Sequence, residues 1–246
     1  MTAPLVELRG VEKRFGGVYA VTGVGLALYA GEVVGVLGHN GAGKSTLMKV
    51  LSGALPLDAG EIRIDGRPVS IKSPRDARRH GIETLYQTLA LAENLGAAAN
   101  LFLGREIVTR LGTLDDHAME RAALEVIRRL SPHFDDVRTP VQNLSGGQRQ
   151  MVAIARAIHF DARVLIMDEP TAALGPAESG AVGALIARLK AEGLGIFLVS
   201  HDLHDVFEIS DRVAVLANGR LVGVRNTSEV TREQVLEMII GGADSA

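Results

Sequence analysis

Short runs of consecutive apolar residues recur along the chain at positions 33–37, 164–167 and 196–199. Most of their residues are β-branched or leucine, and none of the runs alternates apolar with polar positions. Unbroken apolar runs of this length are typical of strands that are buried on both faces. Because segments with helical periodicity separate them, the pattern predicts an α/β fold in which helices cover a parallel sheet.

Two pairs of turn residues indicate antiparallel structure beside that sheet. Asp65-Gly66 and Asn218-Gly219 each lie between two strand-like stretches. Such pairs favour the two-residue turns of β-hairpins, because both positions accept a positive φ angle. We therefore expect an antiparallel β subdomain in addition to the parallel core.

The strand pattern disappears between about residues 89 and 160. Within this segment, residues 118–130 carry apolar residues at helical spacing. The face expected to be buried consists of Met119, Ala122, Ala123, Val126 and Leu130. The pattern predicts one domain over 1–246, in which a helical subdomain at 89–160 is inserted into a core with a β subdomain formed by 1–88 and 161–246.

Composition narrows the possible classes of protein. The chain has 246 residues, of which 47% are hydrophobic and 22% charged, so a disordered or fibrous protein is excluded. A formal net charge of -3 provides no global positive field, and we expect no nucleic-acid partner. The absence of cysteine excludes disulfides and thiolate zinc sites.

Nothing in the hydropathy pattern predicts membrane insertion. The longest apolar runs are far shorter than the roughly 20 residues that a spanning helix needs. The first 13 residues lack the basic start and apolar stretch of a signal peptide. We expect a cytoplasmic protein whose membrane role, if it has one, depends on a partner.

A phosphate-binding pattern follows the first predicted strand, where residues 38–46 read GHNGAGKST. Gly38, Gly43, Lys44 and Ser45 match the G-x4-G-K-[ST] motif, in which backbone amides surround a phosphate at a helix N-terminus. A glycine-rich turn without a ligand is one alternative; a dinucleotide site fits less well, because it needs Gly or Ala at Thr46. The motif predicts a nucleoside triphosphate site. Its phosphate loop comprises Gly38, His39, Asn40, Gly41, Ala42, Gly43, Lys44, Ser45 and Thr46.

Several side chains are suited to chemistry at this phosphate loop. Lys44 supplies a positive charge for the β- and γ-phosphates, and the hydroxyl of Ser45 suits Mg²⁺. Asp168 and Glu169 follow the second apolar run, at the strand end where α/β sheets bind ligands. Asp168 can hold the metal and Glu169 can activate water, although Asp-Glu-Pro could instead only begin the next helix.

Residues 144–148 read LSGGQ and resemble the signature of ATP-binding cassette (ABC) ATPases. The four residues Ser145, Gly146, Gly147 and Gln148 are called the signature turn below. Ser145 and Gln148 are also spaced as a capping box, which is the local alternative. Two glycines exceed what a cap requires, and they let a phosphate approach bare backbone.

The order of further motifs extends the resemblance over nearly the whole chain. It implies an ABC ATPase fold, a P-loop core with an inserted helical subdomain, and ATP with Mg²⁺ as cofactors. It also implies that Gln87 senses the metal and the attacking water and that His201 contacts the γ-phosphate. Phe15 would stack on adenine, with a core phenylalanine as the alternative. A metal pair formed by His201 and His204 is a weaker alternative, since no further ligand is evident.

The resemblance also implies that the signature turn faces the phosphate loop of a second cassette. The resemblance therefore implies a homodimer that encloses two ATP molecules, each between Lys44 of one copy and the signature turn of the other. ATP favours the closed dimer through contacts that only this state makes. Hydrolysis would then release the two copies.

Longer stretches of the sequence are similar to ATPase subunits of bacterial monosaccharide importers of the ribose and fructose type. That similarity implies an integral-membrane permease as partner, with the chain held on the inner face of the membrane, and an extracytoplasmic sugar-binding protein as an indirect partner. Ala90, Leu95 and Phe102 are candidates for permease contacts or for ordinary core. A non-transport ABC ATPase linked to nucleic acid or translation and a regulatory module that binds ATP without hydrolysis are the alternatives.

The chain departs from the family pattern at two residues. Gly175 stands where an aspartate is common, which implies weaker communication between the two ATP sites. Thr88 replaces an acidic residue that often follows the lid glutamine. Many relatives fuse two cassettes, whereas this sequence contains one.

Overall fold

The computed structural model describes residues 3–86, 88–131, 134–172 and 174–244. Its strands are β1 (Val6–Phe15), β2 (Val18–Leu28), β3 (Val33–Leu37), β4 (Ala59–Ile64), β5 (Arg67–Val69), β6 (Ile82–Leu85), β7 (Val164–Asp168), β8 (Gly195–Val199), β9 (Arg212–Ala217) and β10 (Arg220–Asn226). Its α-helices are α1 (Lys44–Leu51), α2 (Pro74–Arg79), α3 (Ala97–Phe102), α4 (Asp116–Leu130), α5 (Gly146–His159), α6 (Pro176–Ala191), α7 (Leu203–Ile209) and α8 (Arg232–Asp244).

The three apolar runs form adjacent parts of one sheet. The strand order is β10-β9-β3-β8-β7-β6, and all neighbours are parallel except the edge pair β9 and β10. Every residue of β3 and β8 is buried. The predicted α/β fold with a parallel sheet is confirmed.

Alternate residues of the central strands contribute to two separate cores. On one face of the sheet, residues such as Leu165 and Leu198 pack with helices α3 to α6. On the other face, residues such as Ile166 and Phe197 pack with α1 and the antiparallel sheet. The strand pattern lacks polar positions because both faces are covered.

The antiparallel sheet has the order β2-β1-β4-β5. In the turn between β4 and β5 of this sheet, Asp65 and Gly66 have φ angles of 50° and 74°. In the turn between β9 and β10 of the other sheet, Asn218 and Gly219 have φ angles of 48° and 75°. Positive φ at both central residues is the geometry of the predicted hairpin turns. The sequence analysis did not identify β1 and β2, the two longest strands of this sheet.

Helices dominate the segment between β6 and β7. In α4 the buried residues are Met119, Ala123, Ile127 and Leu130, whereas the expected Ala122 and Val126 are only half-buried. The helix therefore packs with a slightly rotated face. Among the described residues, no helix is both long and apolar enough to cross a membrane.

Candidate functional site

The phosphate loop connects β3 to α1, and its glycines have backbone angles that other residues rarely adopt. Gly38, Gly41 and Gly43 have φ angles of 152°, 85° and 100°. A Cβ atom on Gly43 would lie 2.5 Å from the carbonyl oxygen of Ala20 on β2. Close backbone approach therefore requires glycine at this position, as the motif predicts.

Lys44 begins α1 and closes the loop. Its ammonium donates hydrogen bonds to the carbonyl oxygens of Gly38 at 2.7 Å and His39 at 3.1 Å. Burial lowers the pKa of Lys44, although the nearby Glu169 and Asp168 act in the opposite direction. No acidic residue lies in the first turn of α1, so its N-terminus retains its attraction for an anion.

The remaining loop residues lie around this ammonium with different exposures. Ala42 is buried, His39, Gly43 and Thr46 are half-buried, and the exposed positions are Asn40, Gly41 and Ser45. The loop thus presents backbone and the Ser45 hydroxyl to solvent.

Asp168 is the last residue of β7 and lies near the phosphate loop. Its pKa is raised by burial first and by the neighbouring Glu169 second, while Lys49 and Lys44 lower it. A partly desolvated carboxylate beside a second carboxylate favours a nearby cation. Together with the exposed hydroxyl of Ser45, this donor set fits a hard divalent ion such as Mg²⁺.

Glu169 has an unusual backbone conformation with φ of 51°. Its amide donates to the carbonyl oxygen of Val199 on the adjacent strand at 2.8 Å. Its Oε1 lies 2.8 Å from Nδ1 of His201. The fold thus brings together two of the predicted catalytic residues, which are 32 positions apart in the sequence.

Of the two remaining predicted residues, the structure describes Phe15. Gln87 lies outside the described residues. Phe15 ends β1, is 50% exposed and has the Lys13 ammonium 5.6 Å from its ring centroid. The core alternative for Phe15 does not fit this exposure.

The signature turn begins helix α5. The Ser145 hydroxyl accepts a hydrogen bond from the Gln148 amide at 3.3 Å, and the Gln148 side chain accepts one from the Ser145 amide at 2.9 Å. The capping box is therefore present. The two glycines between them carry no side chain to cover the helix N-terminus.

Sequence reasoning missed one contact of the signature turn. Glu178, in the first turn of α6, accepts a hydrogen bond from the Gly147 amide at 3.3 Å. Its position two residues after Pro176 indicated a helix start but not a partner. Among the described residues, the signature turn makes no hydrogen bond to the phosphate loop of its own chain.

Of the three candidates for permease contacts or for ordinary core, Phe102 fits the core alternative. Phe102 is only 2% exposed and packs edge-on against His159, with ring centroids 4.7 Å apart. Ala90 is exposed and Leu95 is half-buried. Phe102 belongs to the core because it ends the inward-facing helix α3.

Comparisons with known proteins agree with this architecture. The ribose import ATP-binding protein RbsA 1 of Rubrobacter xylanophilus is 50% identical over 238 residues, which are 97% of this chain and 47% of that protein. The chain thus spans about half the length of the curated relatives it matches.

Two solved structures share the fold. A nucleotide-free ATP-binding cassette from an ABC transporter has a TM-score of 0.81 at 25% identity, covering 96% of this chain and 95% of that one. A dimeric post-hydrolysis cassette bound to ADP and Pi has a TM-score of 0.73 at 25% identity, covering 90% of this chain and 98% of that one. The sequence model of the ABC transporter family matches residues 21–172, more than half of the chain. The chain therefore belongs to the ABC transporter family.

Proposed function

We propose that this chain is the ATP-binding and ATP-hydrolysing subunit of a sugar importer. The observation that carries the proposal is the convergence of four groups at one edge of the parallel sheet. Lys44 closes the phosphate loop after β3, Asp168 ends β7 and is followed by Glu169, and His201 contacts Glu169. Family members and RbsA relatives support the assignment.

The loop binds the triphosphate of ATP. The amides of α1 face the phosphates, and Lys44 exchanges its carbonyl partners for phosphate oxygens. Phe15, exposed on the neighbouring hairpin, stacks on adenine. Ser45 and Asp168, together with Gln87, would hold Mg²⁺, which neutralises charge on the phosphates when it is bound.

Hydrolysis needs a group that accepts a proton from water near the γ-phosphate. Glu169 is that group, because it directly follows β7 and its Oε1 lies 2.8 Å from Nδ1 of His201, which orients the carboxylate. General-base catalysis of this kind contributes about 10²- to 10⁴-fold in rate. His201 also contacts the γ-phosphate and so connects the base to the nucleotide.

The complete site contains two chains. The signature turn has bare glycines at a helix N-terminus and contacts α6 instead of its own phosphate loop, so its phosphate belongs to a second cassette. The dimeric form of a structural relative supports this arrangement. ATP held between Lys44 of one copy and Ser145 to Gly147 of the other closes the dimer, and hydrolysis opens it.

The relatives support a transporter context. RbsA 1 is a ribose import ATP-binding protein, and we assign this chain to the import of a monosaccharide through a membrane permease. The protein is then cytoplasmic and peripheral on the membrane, and an extracytoplasmic binding protein delivers the sugar. Residues 89–160 act as the helical signature subdomain, and residues 1–88 and 161–246 act as the nucleotide-binding core.

Phosphate release from purified chain tests the enzymatic part. We expect Mg-ATP hydrolysis that falls by 10² or more in Glu169→Gln, while ATP binding is retained. Glu125→Gln, an exposed change on α4, is the matched control and should hydrolyse at the parent rate. Turnover by the Glu169→Gln variant at the parent rate would contradict the role of Glu169, and no turnover by the parent would favour a regulatory ATP-binding module.

A further inference from the structure

The signature turn already has an anion at its helix start, and that anion belongs to the same chain. A Cβ atom on Gly146 would lie 3.6 Å from Glu178 Oε2, and one on Gly147 would lie 3.5 Å from the Glu178 Cβ. Glu178 therefore covers the glycine face that a phosphate would approach. Among the described residues, the Leu174 side chain also lies close to Gly146, with its Cδ2 2.7 Å from the same Cβ position.

The Glu178 carboxylate bridges the starts of two helices. It accepts from the Gly147 amide of α5 at 3.3 Å and from the Gly175 amide at the start of α6 at 3.4 Å. Each helix N-terminus carries about half a positive charge, so a carboxylate between them is stabilised from both sides. Hydrogen bonds from the Gly147 amide, the Ser145 hydroxyl and the Gly175 amide hold the pKa of Glu178 below its usual value.

Two of the three groups that hold Glu178, the Gly147 amide and the Ser145 hydroxyl, are also those that the proposed function assigns to phosphate. The Gly147 amide and the Ser145 hydroxyl cannot serve a carboxylate and a γ-phosphate at the same position, because both ligands are anions and need the same donors. The two ligands must therefore alternate.

We propose that Glu178 is an internal competitor for phosphate: in the separated cassette it occupies the signature turn, and ATP on a second copy must displace it before the dimer closes. This inference rests on the proposed function. It implies that Glu178 raises the ATP concentration needed for closure.

The expected change in the ATP requirement follows from the carboxylate charge and from the two-fold symmetry of the dimer. A charge at an exposed helix N-terminus changes an equilibrium by about two- to fivefold. A symmetric dimer has two signature turns and two ATP molecules. Removing both carboxylates therefore raises the dimerisation constant by the square of that factor, and the dimer population also depends on the square of the ATP concentration. The ATP concentration at half dimerisation should therefore fall by about two- to fivefold in Glu178→Ala.

The experiment measures dimerisation against Mg-ATP concentration by light scattering, in a Glu169→Gln parent, in which we expect hydrolysis to be slowed at least about 10²-fold. Glu178→Ala should shift the midpoint to lower ATP, and Glu178→Gln, which keeps the shape without the charge, should shift it in the same direction. Glu237→Ala is the control, because it removes an exposed carboxylate from α8 and should leave the midpoint unchanged. An unchanged or raised midpoint in Glu178→Ala would overturn the inference.

A second measurement on the nucleotide-free single chain examines the contact by itself. Hydrogen exchange of the Gly147 amide should be faster in Glu178→Ala than in the parent, and equal rates would also overturn the inference. If the parent stays monomeric at saturating Mg-ATP, the two-chain site fails and the inference fails with it. If the parent dimerises and only the midpoint shift is missing, the proposed function stands and the role of Glu178 is wrong.

Discussion

The backbone at Glu169 provides a prediction about stability that is independent of any ligand. Its φ of 51° lies in the left-handed region, which costs a residue with a Cβ about 1–2 kcal/mol. The conformation is held by the bond from its amide to Val199 and by the strand end that precedes it. Such strain persists where a side chain must point in one direction for function.

We compare the stability of Glu169→Ala with that of Glu169→Gly. Both variants lose the carboxylate and the contact with His201, so they differ only in the Cβ atom. Glycine removes the penalty for the left-handed conformation. It also makes the unfolded chain more flexible, which lowers the free energy of unfolding by about 0.4–1 kcal/mol. The difference leaves Glu169→Gly more stable by about 1 kcal/mol, which corresponds to about 2–4 °C in Tm for a chain of this size.

Thermal unfolding and guanidinium titration of both variants provide the assay. Glu125→Ala and Glu125→Gly form the matched control pair, because Glu125 lies within helix α4 and is exposed. In this helix the order of stability is the opposite, and the Glu125→Gly variant should be less stable than Glu125→Ala by about 1 kcal/mol. If Glu169→Ala is as stable as Glu169→Gly, the backbone at this position is not strained and the reasoning is wrong.

Three further changes test the site. Asp168→Asn should raise Tm near neutral pH. The pKa of Asp168 is higher in the folded chain than its value of about 3.8 in the unfolded chain, so the free energy of unfolding falls as pH rises from the unfolded pKa through the folded pKa. A Tm advantage of the variant that persists below pH 3.8 would contradict this sign. Lys44→Ala should weaken ATP binding at least tenfold in calorimetry, because it removes a charge-assisted contact of about 1.5–3 kcal/mol, and unchanged affinity would remove Lys44 from the site. Phe15→Ala should lower ATP affinity about fivefold or more while Phe15→Tyr retains it, and equal affinities would exclude stacking.

Features encoded by local pattern could be predicted from the sequence. The strands β3, β7 and β8 are unbroken apolar runs because helices and the second sheet cover both faces. The two hairpin turns were predictable because Asn-Gly and Asp-Gly pairs accept positive φ. Strands β1 and β2 were missed because their pairing shifts register three times, and Gly10, with φ of 58°, interrupts the alternation of β1.

Features that depend on tertiary contact could not be predicted. The contact between Glu178 and Gly147 joins residues 31 positions apart on two helices, and no local pattern records it. The positive φ of Glu169 follows from its bond to Val199 on a neighbouring strand. Phe102 is apolar in either role, and only its packing against His159 places it in the core.

The central claim is that ATP is enclosed between the phosphate loop of one copy and the signature turn of another. The most direct measurement is the solution mass of Glu169→Gln with and without Mg-ATP, compared with the same variant carrying Gly147→Val. We expect a monomer of 26.1 kDa without nucleotide, a dimer with Mg-ATP, and loss of that dimer when Gly147 is replaced. A chain that stays monomeric at saturating Mg-ATP, or a dimer that is indifferent to Gly147→Val, would contradict it.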